Sequence, residues 1–354
     1  MKILLLRLRL IGDVVFTTPV IRAVRQTYPD AYLAYLVEPD AAPVVINNPH
    51  LDEVLVAPRA RGARRLINDL ALARRLRRAR FDVAIDMHGG PRSAWLTWAS
   101  GARERVGYAI RGRAWMYTRI VPRSRDLRPR HSVLNQWDLL EALPDWGRQL
   151  ADPERDAVEM ALDASAEARM RTRLSGAGVA ASHEVIVVHV SAGNPFRRWP
   201  EAFFADLVTS LARHGSARRI VLSSGPSDRE AAARIATAAR ERLGASRDRI
   251  VDLGEFDLQE LRALIGLSRL FVGGDTGPLH IAAATPTPIV GIYGPTLAAR
   301  SAPWRTPGAR TISVEKQNLP CRPCDQRKCA PGDFRCLTTL MPDTVIAAAE
   351  RALA

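Results

Sequence analysis

Hydrophobic residues in this chain fall into short β-branched or leucine-rich runs, separated by longer stretches in which apolar positions recur every three to four residues. Residues 2–8, 31–37, 53–56 and 82–87 show the first pattern and predict buried strands, while 18–26, 64–79 and 132–143 show the second and predict helices. A polar stretch over 145–183 follows, bounded by Pro144 and containing Pro153, Gly176 and Gly178, with one helix predicted at 165–174. The alternation then restarts, with strands at 184–190, 218–223, 249–253, 270–272 and 287–292 and helices at 201–213, 228–243, 258–266, 278–284 and 342–354. Uninterrupted apolar strands alternating with helices make parallel sheets covered on both faces.

The 354 residues provide for two such sheets, each in a domain able to bury about 70% of its unfolded surface. The expected organisation is an N-terminal domain over 1–165, a second domain over 166–341 and a C-terminal helix over 342–354. Doubly wound sheets bind ligands at the carboxyl ends of their strands, so two in series predict a cleft with one sheet on either side. Hydrophobic residues at 47% and charged residues at 25% are the balance of a soluble globular protein. The apolar start is interrupted by Arg7, Arg9 and Asp13 before it could form a secretory or spanning segment, which points to the cytoplasm, where cysteines stay reduced.

The formal net charge of +14 invites a nucleic-acid reading, but only three of the 51 basic residues are lysines and aromatics make up 6%. No basic run is interleaved with aromatics that could stack bases, so nucleic acid is not expected. Anionic lipid head groups, acidic sugars or a solvated arginine face over 64–80 would each account for the charge.

Three motifs leave predicted strands. In Leu8-Arg9-Leu10-Ile11-Gly12-Asp13 a glycine permits a sharp turn and places Asp13 near a helix start, as a general base or as a first-turn acid favoured by the helix dipole. In residues 189–200 small residues open a loop from which Arg197 and Arg198 can grip an anion, while Trp199-Pro200 can equally plug the domain and start a helix. In Phe271-Val272-Gly273-Gly274-Asp275-Thr276-Gly277-Pro278-Leu279-His280 a glycine-rich turn opens a helix, and the N–H groups of 276–279 are expected to form an anion cradle. His280 reads either as a site ring or as a core histidine. Neither a Walker A nor a dinucleotide glycine pattern is present. Cys321, Cys324, Cys329 and Cys336 lie in a polar loop and leave three readings open: a structural zinc site, packing thiols, or redox and iron–sulfur use.

These motifs, in this order and followed by Gly291-Ile292-Tyr293-Gly294-Pro295-Thr296, resemble those of glycosyltransferase family 9, the ADP-heptose:lipopolysaccharide heptosyltransferases, over essentially the whole chain. The resemblance implies a GT-B fold, an α/β architecture of two Rossmann-like domains facing each other across a cleft, with the acceptor in the first and the donor in the second. It implies an inverting transfer from ADP-heptose to a Kdo or heptose of the lipopolysaccharide inner core at the inner membrane surface, with no metal required for catalysis. By motif, Asp13 matches the base. Arg197 stands where the family usually has lysine and would clamp phosphate, keeping the charge but changing its shape. Asp228 matches the acid for the donor ribose, and Asp275, Thr276, Gly277 and His280 the donor loop. Some members carry a similar cysteine cluster. An acceptor rich in Kdo and phosphate is anionic, which makes Arg7, Arg92 and Arg119 candidate acceptor ligands. The alternatives are another GT-B sugar-nucleotide enzyme, such as an epimerase or a transferase of a different sugar, and a basic binding module. The intact Asp13, Arg197 and 275–280 set argues against the last.

Overall fold

The structure, a computed structural model describing residues 1–122, 130–147, 150–324 and 326–354, divides into two compact units, Met1–Ala161 and Leu162–Ala354. Residues 148 and 149 of the polar stretch and residue 325 of the cysteine loop lie outside the described set. The first unit holds strands β1 (Lys2–Leu6), β2 (Tyr32–Val37), β3 (Glu53–Val56), β4 (Val83–Asp86), β5 (Glu104–Tyr108) and β6 (Arg119–Val121), all parallel, in the order β3-β2-β1-β4-β5-β6. Ile3, Leu4, Leu5 and Leu6 of central β1 expose nothing, which explains why this run reads apolar without alternation: both sheet faces are covered. Each such burial stabilises by about 1.5–3 kcal/mol, and a carboxylate at Leu5 would lose that gain and add an unpaired buried charge.

The second unit repeats the plan with β7 (Glu184–His189), β8 (Arg218–Ser223), β9 (Ile250–Val251), β10 (Leu270–Gly274), β11 (Ile289–Tyr293) and β12 (Thr311–Glu315), parallel and ordered β12-β11-β10-β7-β8-β9. In both units the first strand lies beside the fourth, and the chain winds outward from that pair in opposite directions. The expected α/β architecture of two Rossmann-like units is therefore observed. The last helix, Pro342–Leu353, set apart in the sequence reading, sends Val345, Ala348, Ala349 and Ala352 into the core of the second unit. Buried Arg218 fixes it by donating to both carboxylate oxygens of Glu350, at 2.6 and 2.8 Å.

The sequence reading missed β5, β6, β12 and the helix Pro91–Ala99. β6 and β12 are sheet edges with only partial cover, and β5 buries only its last three residues, so none carries a continuous apolar run.

Candidate functional site

Where the winding of a parallel sheet reverses, the loops on either side of the reversal diverge and leave a crevice at the carboxyl ends of the strands. The reversal falls between β1 and β4 in the first unit and between β7 and β10 in the second, with Leu6 paired to Asp86 and His189 to Gly273. Residues 7–13 leave β1, His88-Gly89-Gly90 leaves β4, residues 189–200 leave β7, and the Asp275 loop leaves β10. The three loop motifs around Asp13, Arg197 and Asp275 thus sit at these two positions, whereas Asp228 follows β8, residues 291–296 lead out of β11 and the cysteine segment follows β12.

In the first unit, Asp13 is the third residue of a short helix, Ile11–Val15. Its Oδ2 lies 2.6 Å from Arg7 Nη2 and 3.5 Å from the backbone nitrogen of Leu10, so it serves as a helix-start acid while one third of the side chain stays exposed. Arg7 also donates to the carbonyl of Met87 at 2.5 Å, tying the β1 and β4 loops together. Burial opposes the charge of this guanidinium, but Asp13 outweighs it and raises the Arg7 pKa. The β4 loop is built on Asp86, a wholly buried carboxylate that accepts from the backbone of His88 and Gly89 (both 2.9 Å), from Ser93 (3.0 Å) and from Tyr117 (2.6 Å). Burial, then the Asp86 charge, raises the Tyr117 hydroxyl pKa and keeps it a donor. Gly89 has φ +67°, and a Cβ on Gly90 would stand 2.5 Å from the His88 ring, so this turn needs both glycines. Burial and the Arg7 charge lower the His88 pKa, so the ring is neutral, and its Nδ1 lies 3.1 Å from the carbonyl of Arg9.

Beside this loop is a cavity of about 830 Å³ whose lining includes Arg9, Arg59, Arg61, Arg65, Arg92, His88 and Glu38. Two of the expected acceptor ligands have protein partners of their own. Arg92 is 10% exposed and committed to protein, with Nη1 2.7 Å from Glu38 and Nη2 2.6 Å from Asp69, both themselves 11% exposed. It is a structural tie holding helices Gly62–Ala79 and Pro91–Ala99 together. Arg119 lies on the outermost strand, β6, and turns to Glu104 at the start of β5, with Nε 2.8 Å from its carboxylate, so it is not brought to Asp13. Arg9 and Arg61, neither of them among the expected acceptor ligands, line the cavity together with Arg92. Arg9 lies in the motif that carries Asp13, and Arg61 lies just before the arginine-rich 64–80 segment.

In the second unit, Arg197 follows β7 and reaches across to the β10 loop. Its Nη1 donates to the Asp275 carbonyl at 2.8 Å and lies 3.2 Å from the Asp275 carboxylate, and its Nε donates to Gln326 Oε1 at 2.7 Å. Asp275 is 3% exposed, accepts from the Thr296 hydroxyl and has His280 Nε2 3.5 Å from its other oxygen. Burial works against its charge, yet these two partners and Arg197 outweigh burial and hold its pKa down at about 2. His280 is thus a buried ring that serves the loop carboxylate. Thr276 caps the helix Gly277–Ala283. The four-donor cradle expected there is smaller: Pro278 has no N–H and that of Leu279 bonds the Thr276 carbonyl at 3.1 Å, which leaves Thr276 and Gly277. Asp228, the expected ribose acid, is buried and accepts from Ser191, from Ser227 at 2.9 Å and from Arg198 at 2.9 Å. Trp199 is 4% exposed, donates to the Leu340 carbonyl at 2.9 Å and stacks edge-on against Phe203 and Phe204, so the plug reading of Trp199-Pro200 is realised.

The four cysteines are free and line one cavity of about 180 Å³ with Phe196 and Phe334. Burial pushes the Cys336 thiol up to about 11, which favours its protonated form. Among the described residues no group of three or more His, Cys, Asp or Glu is placed to hold a metal ion, so the zinc reading does not fit the thiols as arranged. The loop reaches the site through Gln326, whose backbone N–H donates to Cys324 Sγ at 3.3 Å and whose side chain holds Arg197.

A family model described as Glycosyltransferase family 9 (heptosyltransferase) matches residues 70–332, a span that begins after Asp13. Lipopolysaccharide heptosyltransferase 3 of Escherichia coli strain K12 is 28% identical over 351 residues, covering 97% of this chain and 95% of that one. Among solved structures, the glycosyl transferase family 9 protein from Veillonella parvula superposes with a TM-score of 0.84 at 22% identity, covering 99% of this chain and 97% of the other. The E. coli ADP-heptose lps heptosyltransferase II superposes with a TM-score of 0.77 at 19% identity, covering 100% and 98%.

Proposed function

Because the chain belongs to glycosyltransferase family 9, the heptosyltransferase family, and is therefore a glycosyltransferase, we propose that it moves heptose from ADP-heptose to the lipopolysaccharide inner core with inversion. The observation that carries this reading is the placement of the Asp13, Arg197 and Asp275 loops at the two sheet reversals, where α/β folds hold ligands. In this reading the first unit takes the acceptor and the second the donor, whose nucleotide and sugar are those in the name of the similar E. coli enzyme.

Asp13 accepts the proton of the acceptor hydroxyl as that oxygen forms a bond to the anomeric carbon, while the bond from that carbon to the β-phosphate oxygen breaks and ADP leaves. Arg7 holds the Asp13 carboxylate in one orientation. Negative charge grows on the departing diphosphate, where Arg197 and the N–H groups of Thr276 and Gly277 supply fixed positive dipoles and charge. Since Nε and Nη1 of Arg197 are already held by Gln326 and Asp275, Nη2 is the donor assigned to phosphate. Asp228 would meet the ribose by exchanging one of its present bonds. No step needs a metal ion, because the diphosphate charge has protein partners. Acidic groups of the acceptor go to the cavity lined by Arg9, Arg59, Arg61 and Arg65, near Asp13.

The test is incubation of the protein with ADP-heptose and a panel of truncated lipopolysaccharides, reading product mass and the configuration of the new linkage. A heptose added with inverted configuration to one acceptor supports the proposal. Sugar-nucleotide turnover without acceptor would assign an epimerase instead, and transfer from a different nucleotide sugar alone would refute the donor.

A further inference from the structure

Helix Gly62–Ala79 buries Asp69, Leu72, Ala73 and Leu76 against the first unit. On its other side Leu66, Ile67 and Leu70 are 63%, 64% and 40% exposed. At the helical repeat these three fall within about 100° of arc, and the same side continues, two turns on, with exposed Arg74, Arg77 and Arg78. The helix has one acidic residue, Asp69, which is buried and held by Arg92. Its outward face therefore has an apolar first half and a cationic second half, with no acid of its own to neutralise it. Three neighbouring large apolar side chains kept in water on a helix that already buries another face call for a partner. An interfacial helix on an anionic bilayer has this composition, with apolar side chains at the acyl boundary and arginines snorkelling to lipid phosphates. The helix packed against it, Pro91–Ala99, exposes Trp98 in edge contact with exposed Trp115, a residue type favoured at lipid–water boundaries. Among the described residues no helix is long and apolar enough to cross a membrane, so this face would lie on the surface.

We propose that the outward face of Gly62–Ala79 docks on an anionic phospholipid surface, with Leu66, Ile67 and Leu70 entering the acyl boundary and Arg74, Arg77 and Arg78 meeting lipid phosphates. The inference goes beyond the transfer reaction and needs neither sugar nor nucleotide, so its failure and that of the proposed function are separable.

The experiment is cosedimentation of the full chain with vesicles of phosphatidylglycerol and phosphatidylcholine, compared with vesicles of phosphatidylcholine alone. Wild type should bind the anionic vesicles and be released by salt. The variant Arg74→Gln/Arg77→Gln/Arg78→Gln should lose about fivefold per arginine, on the order of a hundredfold together. The variant Leu66→Gln/Ile67→Gln/Leu70→Gln should lose at least about tenfold. Glutamine keeps helix propensity at exposed positions, and an unchanged thermal transition checks folding. Equal binding to both vesicle types, or wild-type binding by both variants, overturns the proposal. So does a wild-type dimer in light scattering that either variant converts to monomer, which would make the face a contact between copies of this chain.

Discussion

Replacing Asp275 by asparagine tests whether its carboxylate is the organising charge of the donor loop. This carboxylate is 3% exposed, and its pKa moves from the ordinary 3.8 to about 2, because its bonds with His280 and Thr296 and the charge of Arg197 outweigh burial. A folded-state value below the unfolded one means that the folded protein gives up this proton more readily. Ionisation therefore stabilises the fold fully above about pH 4, and the gain disappears as pH falls through about 2. At 1.36 kcal/mol per pH unit, the fall from 3.8 to about 2 corresponds to about 2 kcal/mol at pH 7, and to roughly half of that at pH 3. Asparagine keeps the shape and removes the charge. Urea unfolding should show Asp275→Asn less stable than wild type by about 2 kcal/mol at pH 7 and by about half as much at pH 3. A deficit of the same size at both pH values would mean that lost geometry, not lost charge, is responsible, and would refute the reasoning. ADP titrated into the same samples should bind about tenfold more weakly to the variant, since Arg197 loses the acid that holds it.

Asp13→Asn should lower kcat by about 10² to 10⁴ and leave ADP-heptose affinity nearly unchanged, and activity within about threefold of wild type sinks the assignment. Arg197→Ala should weaken ADP binding by about 2–4 kcal/mol in calorimetry, and an unaltered affinity removes the phosphate role. Arg9→Gln and Arg61→Gln should raise the acceptor KM at saturating donor with no change in ADP affinity, whereas Arg92→Gln should cost about 3 kcal/mol of stability by stranding Glu38 and Asp69. A fully stable Arg92→Gln with a raised acceptor KM would return that residue to the acceptor site. In alkylation at pH 8, Cys336 should be the slowest of the four thiols, since burial raises its pKa to about 11, and metal analysis should give well under one ion per chain. Uniformly unreactive thiols with one bound metal would contradict the present arrangement of that loop.

The sheets were legible wherever a strand is covered on both faces. β1, β2, β4, β7, β10 and β11 are central or next to centre and carry unbroken apolar runs, while β8 has an apolar run only at 220–222. β5, β6 and β12 do not, because partial cover at and near a sheet edge lets polar residues in. The motifs were legible for a related reason: glycines and charged residues stand out when they follow an apolar run, and that position is the carboxyl end of a strand. What individual arginines do was not legible. Arg7, Arg92 and Arg119 have the same side chain, yet one orients Asp13, one is buried between two acids and one braces an edge strand, and each role is decided by a carboxylate far away in sequence or by strand position.

The two units use one topology, and in each an arginine leaving the first strand pairs with an aspartate of the site: Arg7 with Asp13, and Arg197 with Asp275. Local sequence alone treats the two acids alike, since both follow a glycine in a loop that opens a helix, and only the family resemblance separates them. Exposure separates them. Asp275 is 3% exposed, with Arg197, His280 and Thr296 all turned towards it, and a carboxylate so enclosed has no oxygen to offer a hydroxyl arriving from solution. The Asp13 side chain is 33% exposed, and its ion pair with Arg7 occupies Oδ2. A general base must come within hydrogen-bond reach of the proton it removes, so the base we propose is the more exposed acid of the first unit rather than the enclosed one of the second.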